Sequence, residues 1–322
     1  MTQPNLFHSD TIPLIFVHNG NQLYLKYALI NAFNTQRDSK IYLLTDKNKK
    51  SFSVKDFSKK MSERIVIIDS SDYINEAKTF STIYKHMSPN SKEFELICFQ
   101  RWFIIKSFAV EKNIEKFFCC DSDTLVFNDL TQIALTRLYG KEISIVNKIC
   151  PCCTYFTKQS IQLFCNFIIT QYTDKQKLQN LENIYKEKIK SNDGGICDMT
   201  MFPLYENAYP NSIHDFGNIE KIKDSLFVFD ENISLTENFI EKHLIKKIQF
   251  IKKIPFGSTN DNKKVCFDVL HCQGKFSKYY IGKYGNIPLL LKIQNFFVYF
   301  SLKQYIRSHM PKEIKKIFKH LR

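Results

Sequence analysis

The fold is decided by the segment Phe117-Phe118-Cys119-Cys120-Asp121-Ser122-Asp123-Thr124-Leu125-Val126-Phe127, in which two carboxylates, one residue apart, end an apolar run. An apolar run of this length between polar residues predicts a buried strand. In α/β proteins the carboxyl ends of the strands border the ligand crevice. Neighbouring carboxylates repel each other there unless a cation lies between them, and a hard divalent cation shared with phosphate oxygens is the natural partner. Asp121 and Asp123 therefore predict a metal site for a phosphate-bearing substrate.

Strand and helix patterns alternate on both sides of this segment. Apolar runs predict strands, and apolar residues at helical spacing predict helices. The predicted strands cover 12–17, 41–44, 65–68, 143–146 and 265–270, and the predicted helices cover about 22–33, 94–110 and 158–190. Turn chemistry at Ser191-Asn192-Asp193-Gly194-Gly195 ends the last of these helices. This order predicts an α/β fold, Rossmann-like, with a mostly parallel central sheet flanked by helices.

Positive charge is concentrated near the C-terminus. The chain has a formal net charge of +14, and residues 286–322 carry eight Lys/Arg and one Glu, which is half of that excess. Apolar residues recur there at helical spacing and predict a basic amphipathic helix, at Ile314, Ile317, Phe318 and Leu321. Such a helix either lies on an anionic membrane surface or docks on its own domain with a solvated basic face. We expect one domain at 1–285 and this tail at 286–322.

The cysteines and the first residues indicate a cytoplasmic protein. Met1 to Asp10 lack the basic and apolar regions of a secretory signal. The ten cysteines form no regular disulfide framework, so we expect reduced, buried thiols. Cys150-Pro151-Cys152-Cys153 is not completed to a zinc site by a second Cys/His pair at finger spacing. No apolar run reaches the about 20 residues that a membrane span needs, so membrane attachment would be peripheral, on the inner face.

A second polar segment follows the predicted strand at 265–270, and its sequence is His271-Cys272-Gln273-Gly274-Lys275-Phe276-Ser277-Lys278. A neutral imidazole such as that of His271 ligates divalent metals. Gly274 lets the backbone approach a phosphate closely, and Lys275 or Lys278 can neutralise its charge. A lone histidine is more often structural. The carboxylates upstream and the Gly and Lys residues that follow favour a ligand role here.

Three segments carry a resemblance to a known family. Arg101-Trp102-Phe103-Ile104, followed by the segment from Lys116 to Asp123, is similar to an arginine-bearing helix that leads into an "Asp-x-Asp" strand. The segment from Asn192 to Thr200 is similar to a turn and "Asp-Met" helix start near the acceptor. Residues 271–278 resemble a "His-x-x-Gly-x-x-Lys" segment, with the lysine one residue further along. In these segments the chain resembles the GT-A glycosyltransferases, in particular family 8 and its relatives, over about 12–285.

The resemblance implies an enzyme of the hexosyltransferase type. It would move a sugar from a nucleotide-sugar, a UDP-sugar, to a glycan or lipid-linked acceptor of the envelope polysaccharide kind, with retention of configuration. A divalent metal, Mn²⁺ or Mg²⁺, would be bound by Asp121, Asp123 and His271. The residues implied in binding the nucleotide-sugar are His18, Asn19, Tyr24, Asp121, Gly274, Lys275 and Lys278.

The resemblance also implies three residues near the reacting atoms. Asp193 and Asp198 would contact the acceptor, or one of them would act as the base of an inverting enzyme. Their alternative role is helix N-capping after the Gly-Gly turn. Arg101 would brace the carboxylates of the site, and its alternative is a surface ion pair.

Two other classes of protein remain open. Asp121-Ser122-Asp123-Thr124 also fits the first motif of haloacid-dehalogenase-like phosphatases, with Asp121 as nucleophile, Asp123 as general acid and bound Mg²⁺. That motif normally opens its domain, whereas three predicted strands precede it here. The charge of +14 also fits a basic membrane- or nucleic-acid-binding protein. Half of this charge lies in the tail and the aromatic residues form no RNA-binding motif, so we do not expect nucleic acid as the partner.

Overall fold

A computed structural model describes residues 11–20, 22–46, 57–274, 277–289 and 291–293. Its contacts divide it into two compact units. Unit 1 contains 11–20, 38–46, 57–121 and 130–217, and unit 2 contains 22–37, 122–129 and the described residues from 218 onward. The border after Asp121 falls inside the Asp-Ser-Asp segment, so the chain itself joins the units there.

The described chain contains the following strands and helices. The strands are β1 (Leu14–Val17), β2 (Ile41–Thr45), β3 (Ile65–Asp69), β4 (Lys116–Cys120), β5 (Thr124–Val126), β6 (Ile143–Val146), β7 (Cys150–Thr157), β8 (Ile213–Asp215), β9 (Glu220–Ile222), β10 (Ser225–Phe229), β11 (Glu241–Lys242), β12 (Ile245–Lys246), β13 (Gln249–Ile251), β14 (Ile254–Ser258) and β15 (Lys264–His271). The α-helices are α1 (Leu23–Thr35), α2 (Lys59–Ser62), α3 (Asn75–Ile83), α4 (Lys92–Glu111), α5 (Leu130–Arg137), α6 (Lys158–Thr173), α7 (Lys175–Lys190), α8 (Asp198–Ala208) and α9 (Lys278–Tyr284).

Unit 1 is built on a seven-stranded sheet in the order β3-β2-β1-β4-β7-β6-β8. The first four strands of this order are mutually parallel, and β8 is parallel to β6. Only β7 runs antiparallel to its neighbours β4 and β6. The sheet is thus mostly parallel and helices accompany it, which confirms the predicted α/β fold class. The inner strands are buried on both faces, as their uninterrupted apolar runs require.

Helix α4 supplies much of the core of unit 1. Ser91 caps its N-terminus by accepting the backbone N–H of Phe94 at 3.3 Å, and Glu93 and Glu95 lie in its first turn. Its buried face carries large side chains with almost no exposure, namely Phe99, Trp102, Phe103, Ile105 and Phe108. This packing fixes the helix that carries Arg101.

The predicted helical region at 158–190 is two helices, α6 and α7. The break is at Asp174, whose backbone is extended and whose carboxylate accepts the N–H of Lys177 at 2.9 Å. Thr157 and Ser160 form a capping box at the start of α6. The apolar spacing continues through both helices, so the sequence pattern alone did not reveal the interruption.

Unit 2 is built on a smaller sheet in the order β13-β14-β15-β10-β9, with β5 paired to β15. The pair β10 and β15 is parallel, and the other pairs are antiparallel. Its tight turns use left-handed backbone at non-glycine residues, for example Lys252 and Lys253 between β13 and β14. Helices α1 and α9 belong to this unit. Of the described strands of this unit, only the eight-residue β15 was predicted.

All ten cysteines lie in the described residues and each is a free thiol, eight of them buried. Burial raises the thiol pKa, for example at Cys119 and Cys152. Within the described ranges, no helix combines the length and the apolar character that a bilayer crossing requires. The tail predicted at 286–322 lies outside the described residues from 294 onward, and its border at 285 stays a prediction.

Candidate active site

Asp121 stands at the carboxyl end of β4, in the middle of the parallel sheet of unit 1. Its backbone N–H donates to the carbonyl of Cys152 at 2.9 Å, which fixes the residue against β7. Its carboxylate accepts Nη1 of Arg101 at 2.5 Å. The strand therefore delivers this carboxylate to the edge where α/β sheets bind ligands, already paired with a cation.

Arg101 is held between two carboxylates of unit 1. Its Nε and Nη2 donate to Oδ2 of Asp198 at 3.1 and 2.6 Å, while Nη1 reaches Asp121. Its guanidinium carbon lies 4.6 Å from the ring centre of Trp102. Burial alone would lower the pKa of Arg101, but Asp198 and Asp121 outweigh it and raise the pKa well above its usual value. The side chain is only 16% exposed, which is not the geometry of a surface ion pair.

Asp198 is the first residue of α8 and is almost fully buried. Its Oδ2 accepts three donors, two from Arg101 and the indole Nε1 of Trp102 at 3.0 Å. Asp193 lies on the preceding turn, where its exposed carboxylate pairs with Lys188 at 3.1 Å. Asp198 therefore joins the network of Arg101 and Asp121, whereas the described contacts of Asp193 are with Lys188 on the surface of unit 1.

Asp123, His271 and Lys278 meet in unit 2. His271 ends β15, and its Nε2 lies 3.4 Å from Oδ1 of Asp123. Lys278, at the start of α9, contacts Oδ2 of Asp123 and donates to the carbonyl of Cys272 at 3.2 Å. The N–H of Cys272 donates to the carbonyl of Asp123 at 3.0 Å. Burial opposes ionisation of Asp123, but His271 and Lys278 outweigh burial and lower the pKa of this carboxyl.

The tautomer of His271 follows from its second ring nitrogen. Nδ1 lies 2.5 Å from the carbonyl oxygen of Glu231, and a carbonyl only accepts, so Nδ1 carries the proton and donates. Nε2 therefore faces Asp123, where as part of an imidazolium it lowers the pKa of that carboxyl, and a divalent cation bound there would take the place of the Nε2 proton. An imidazole nitrogen and a carboxylate oxygen at 3.4 Å are suited to share one divalent cation. Asp121 precedes Asp123 by two residues, so the covalent chain holds its α-carbon within about 7 Å of that of Asp123.

The remaining predicted nucleotide-binding residues are distributed over both units. In unit 1, His18 is buried after β1 and donates its backbone N–H to Leu44 at 3.0 Å, and Asn19 beside it is partly exposed. In unit 2, the ammonium of Lys278 lies 4.6 Å from the ring centre of Tyr24. Gly274 has a φ of +85°, and a Cβ added there would meet nothing within 4 Å. Lys275 lies outside the described residues.

Sequence reasoning missed two buried charges next to His271, Asp230 and Lys246. Oδ2 of Asp230 accepts the backbone N–H of His271 at 3.2 Å, and Lys246 contacts Oδ1 of the same carboxylate. Asp230 had a usable signal, because it follows an apolar strand as Asp121 does. Lys246 had none, since it is one of many lysines in a polar stretch of the sequence.

No protein-family model matches the sequence, and no curated protein does so either. Among solved structures, the chain is similar to apo mouse xyloside xylosyltransferase 1 at 10% identity and a TM-score of 0.45, over 64% of this chain and 84% of that one. It is similar to the galactosyltransferase LgtC, in complex with donor and acceptor sugar analogs, at 13% identity and a TM-score of 0.38, over 63% and 72%. For the glycosyltransferase GlyE of Streptococcus pneumoniae the values are 14% and 0.36, over 64% and 45%.

All three solved proteins are glycosyltransferases, the class that the sequence motifs resemble. They do not assign the chain to family 8. At TM-scores below 0.5 these similarities carry no argument about the donor, the acceptor or the mechanism of this chain.

Proposed function

We propose that this chain is a metal-dependent glycosyltransferase that uses a nucleotide-sugar, a UDP-sugar, as donor and a glycan or lipid-linked glycan as acceptor. The single observation that carries the proposal is the group in unit 2, where a carboxylate, an imidazole whose Nε2 faces that carboxylate and a lysine meet. This set of groups suits a cation and a diphosphate together.

The metal ligands in this proposal are Asp123 and His271, with Asp121 as the third. When bound, Mn²⁺ or Mg²⁺ supplies positive charge that stabilises the diphosphate leaving group. The protein's own part is to keep the ligands in their binding forms. His271 and Lys278 lower the pKa of Asp123, which favours its ionised form, and the Glu231 carbonyl holds the ring of His271 with Nε2 toward Asp123.

Lys278 is the proposed diphosphate ligand of the described residues. In this structure its ammonium contacts Asp123 and lies over the ring of Tyr24. A cation that takes Asp123 would leave the lysine to neutralise phosphate oxygens, as a compact point charge does well. Its charge is already in place before the leaving group develops its own, which is the arrangement that lowers an electrostatic barrier. Gly274 lies four residues before it, and Lys275 is a second candidate.

Arg101 and Asp198 have a positioning role in the proposal. Arg101 orients the Asp121 carboxylate, and Asp198 holds Arg101 from its other side. Oδ2 of Asp198 accepts from Arg101 and Trp102, and Asp193 pairs with Lys188, so neither carboxylate stands as an unpaired base. This pairing favours a retaining over an inverting reaction, because inversion needs a base beside the acceptor hydroxyl.

Release of nucleoside diphosphate tests the proposal. Full-length protein is incubated with a panel of nucleotide-sugars and Mn²⁺, in parallel with Asp123→Ala, with an EDTA control and with Lys148→Ala, which removes the ion pair of Lys148 with Glu206 in unit 1. We expect hydrolysis of one donor that Lys148→Ala retains and that both Asp123→Ala and EDTA abolish. Silence on every donor, together with metal-dependent hydrolysis of a phosphomonoester that Asp121→Ala abolishes, would instead establish the phosphatase.

A further inference from the structure

A buried ion pair lies directly behind His271 in unit 2. The side chains of Asp230 and Lys246 are 0% and 7% exposed, and the ammonium contacts Oδ1 of the carboxylate. The ammonium also donates to the carbonyl of Asn232 at 2.9 Å and lies 5.2 Å from the ring centre of Phe239. A buried ion pair contributes little net stability, because both charges lose their hydration. The pair is therefore better explained by what it holds than by its own attraction.

What the pair holds is His271, through both its backbone and its ring. Oδ2 of Asp230 accepts the N–H of His271 at 3.2 Å, and the carbonyl of His271 accepts the N–H of Ile233 at 3.0 Å. The carbonyl of Glu231, the residue after Asp230, accepts Nδ1–H of the ring at 2.5 Å. The segment 230–233 thus contacts His271 at three points.

Lys246 closes this segment from the other side. Its ammonium bridges Asp230 and the carbonyl of Asn232, while its own backbone N–H donates to the carbonyl of Ile233 at 2.8 Å. Both ends of the segment are therefore tied to one residue. Glu231 lies between the two points that the ammonium contacts, so the direction of its carbonyl depends on this bridge.

We infer that Asp230 and Lys246 are positioning residues, which hold the Glu231 carbonyl so that His271 presents Nε2 to a divalent cation. This inference rests on the proposed function. Partners that orient a ligating histidine from behind raise its basicity and fix its tautomer. Loss of the bridge frees the ring to rotate or to carry its proton on Nε2, and either change removes a metal ligand.

The test measures Mn²⁺ affinity in the full-length protein without nucleotide, from the electron paramagnetic resonance signal of free Mn²⁺. The variants are Lys246→Met, which keeps the length of the side chain, and the double variant Asp230→Asn with Lys246→Met, which removes both charges. Lys148→Met is the matched control, because its ammonium bridges Glu206 at 2.7 Å in unit 1. We expect the Kd for Mn²⁺ to rise by about 10–100-fold in Lys246→Met and to stay unchanged in Lys148→Met.

A second readout separates positioning from mere stability. With Mg²⁺ bound, ¹⁵N imidazole spectra of wild type should place the His271 proton on Nδ1, and the folded double variant with Mg²⁺ should show a mixture of tautomers. A purely structural pair would lower the melting temperature and leave both the tautomer and the Kd of the folded protein unchanged, which would overturn the inference alone. Failure of wild type to bind Mn²⁺ would overturn the metal site itself. If neither variant folds, a His271 proton on Nε2 in Mg²⁺-loaded wild type still refutes the inference.

Discussion

At the scale of single residues, the Asp198 carboxylate illustrates how a buried charge is made tolerable. One oxygen accepts three donors, and two of them carry the charge of Arg101. A buried carboxylate without such partners would shift to its neutral form. The arrangement also transmits position, because the same guanidinium reaches Asp121 at 2.5 Å. Asp198 therefore acts on the candidate metal ligand through Arg101.

The indole N–H of Trp102 is the part of this network that can be removed most cleanly. Trp102→Phe keeps an aromatic ring but deletes the 3.0 Å hydrogen bond to Asp198. We expect the free energy of unfolding to fall by at least about 1.5–3 kcal/mol, the range for a hydrogen bond to a charged group, because the smaller ring also leaves space in the buried core. Urea unfolding followed by circular dichroism measures it, since the variant has no tryptophan left for fluorescence. An unchanged free energy would mean that Arg101 alone satisfies Asp198.

Substitution of Lys278 tests the proposed binding of the diphosphate directly. Lys278→Met removes the charge assigned to the diphosphate, and we expect kcat for donor hydrolysis to fall by about 10²-fold, the cost of losing one electrostatic stabiliser. Lys283→Met is the matched control in the same helix, because the ammonium of Lys283 lies over the rings of Tyr280 and Tyr284. Steady-state kinetics on both variants measures the difference. Equal losses would show that helix α9 needs lysines for its packing and would remove Lys278 from the site.

The candidate site was only partly predictable at this scale. Asp121, Asp123 and His271 follow apolar strands, so the chain pattern alone singles them out. The partners that orient the ligands, Asp230 and Lys246, come together through the fold of a polar segment with weak periodicity. Sequence spacing carries no information about such contacts, because they depend on how several short strands pair.

At the scale of elements, the sequence predicted most strands of the sheet of unit 1 and β15 of unit 2, but not β7, β8 or the other strands of unit 2. β1, β2, β3, β4, β6 and β15 were predicted within about two residues. The eight-residue strand β7 was missed because it begins with three cysteines and Pro151, and proline within a segment argues against a strand. β7 pairs antiparallel with β4. In this pair Cys153 lies opposite Cys120, and their sulfur atoms are 3.4 Å apart.

The order of elements along the chain also does not predict which unit each element belongs to. α1 follows β1 and precedes β2, as in a helix that crosses between parallel strands, yet it belongs to unit 2. Its Asn31 explains part of this placement, since its side-chain oxygen accepts the backbone N–H of Val126 in β5 at 2.8 Å. A buried asparagine on an apolar helix indicates that its side chain has a hydrogen-bond partner, but the sequence does not identify that partner.

Helix α8 is joined to strand β8 by Glu206. Its carboxylate accepts the backbone N–H of Ile213 at 2.9 Å, the hydroxyl of Ser212 at 3.2 Å and the ammonium of Lys148 at 2.7 Å. Burial opposes its ionisation, but Lys148 and the Ile213 N–H outweigh burial and lower the pKa of Glu206. The folded state therefore holds its ionised form more firmly than the unfolded chain does.

The lowered pKa of Glu206 predicts the sign of a pH dependence. Its contribution to stability is fully present above its unfolded pKa of about 4.3 and is lost as the pH falls through the lower folded value. Glu206→Gln should remove this part of the acid dependence while keeping the shape of the side chain. Urea unfolding of wild type and variant across the acidic range measures it. Parallel stability curves for the two proteins would contradict the assigned pKa shift.

At the scale of the whole molecule, the net charge is distributed unevenly along the chain. Residues 1–285 and residues 286–322 each carry half of the net charge of +14, although the second range has only 37 residues. A lysine or arginine near an anionic bilayer contributes about 1 kcal/mol of attraction, and salt screens it within a Debye length. We therefore expect the charge of the tail to attract the protein to an anionic membrane surface, which is the place of the proposed lipid-linked acceptor.

Deleting residues 286–322 tests this role of the tail. We expect full-length protein to sediment with vesicles that contain anionic lipid, to be released by added salt, and to ignore vesicles of neutral lipid, because the attraction is electrostatic. The truncated chain should stay in the supernatant with all vesicles and should still release nucleoside diphosphate from the donor, since every proposed ligand precedes the deletion. A variant with Lys312, Lys315, Lys316 and Lys319 changed to Gln keeps the length and the apolar face of the predicted helix, and so separates charge from hydrophobic insertion. Vesicle binding that survives the deletion would place any membrane contact within residues 1–285. Vesicle binding that the deletion abolishes but the glutamine variant retains would assign the contact to the apolar face of the predicted helix.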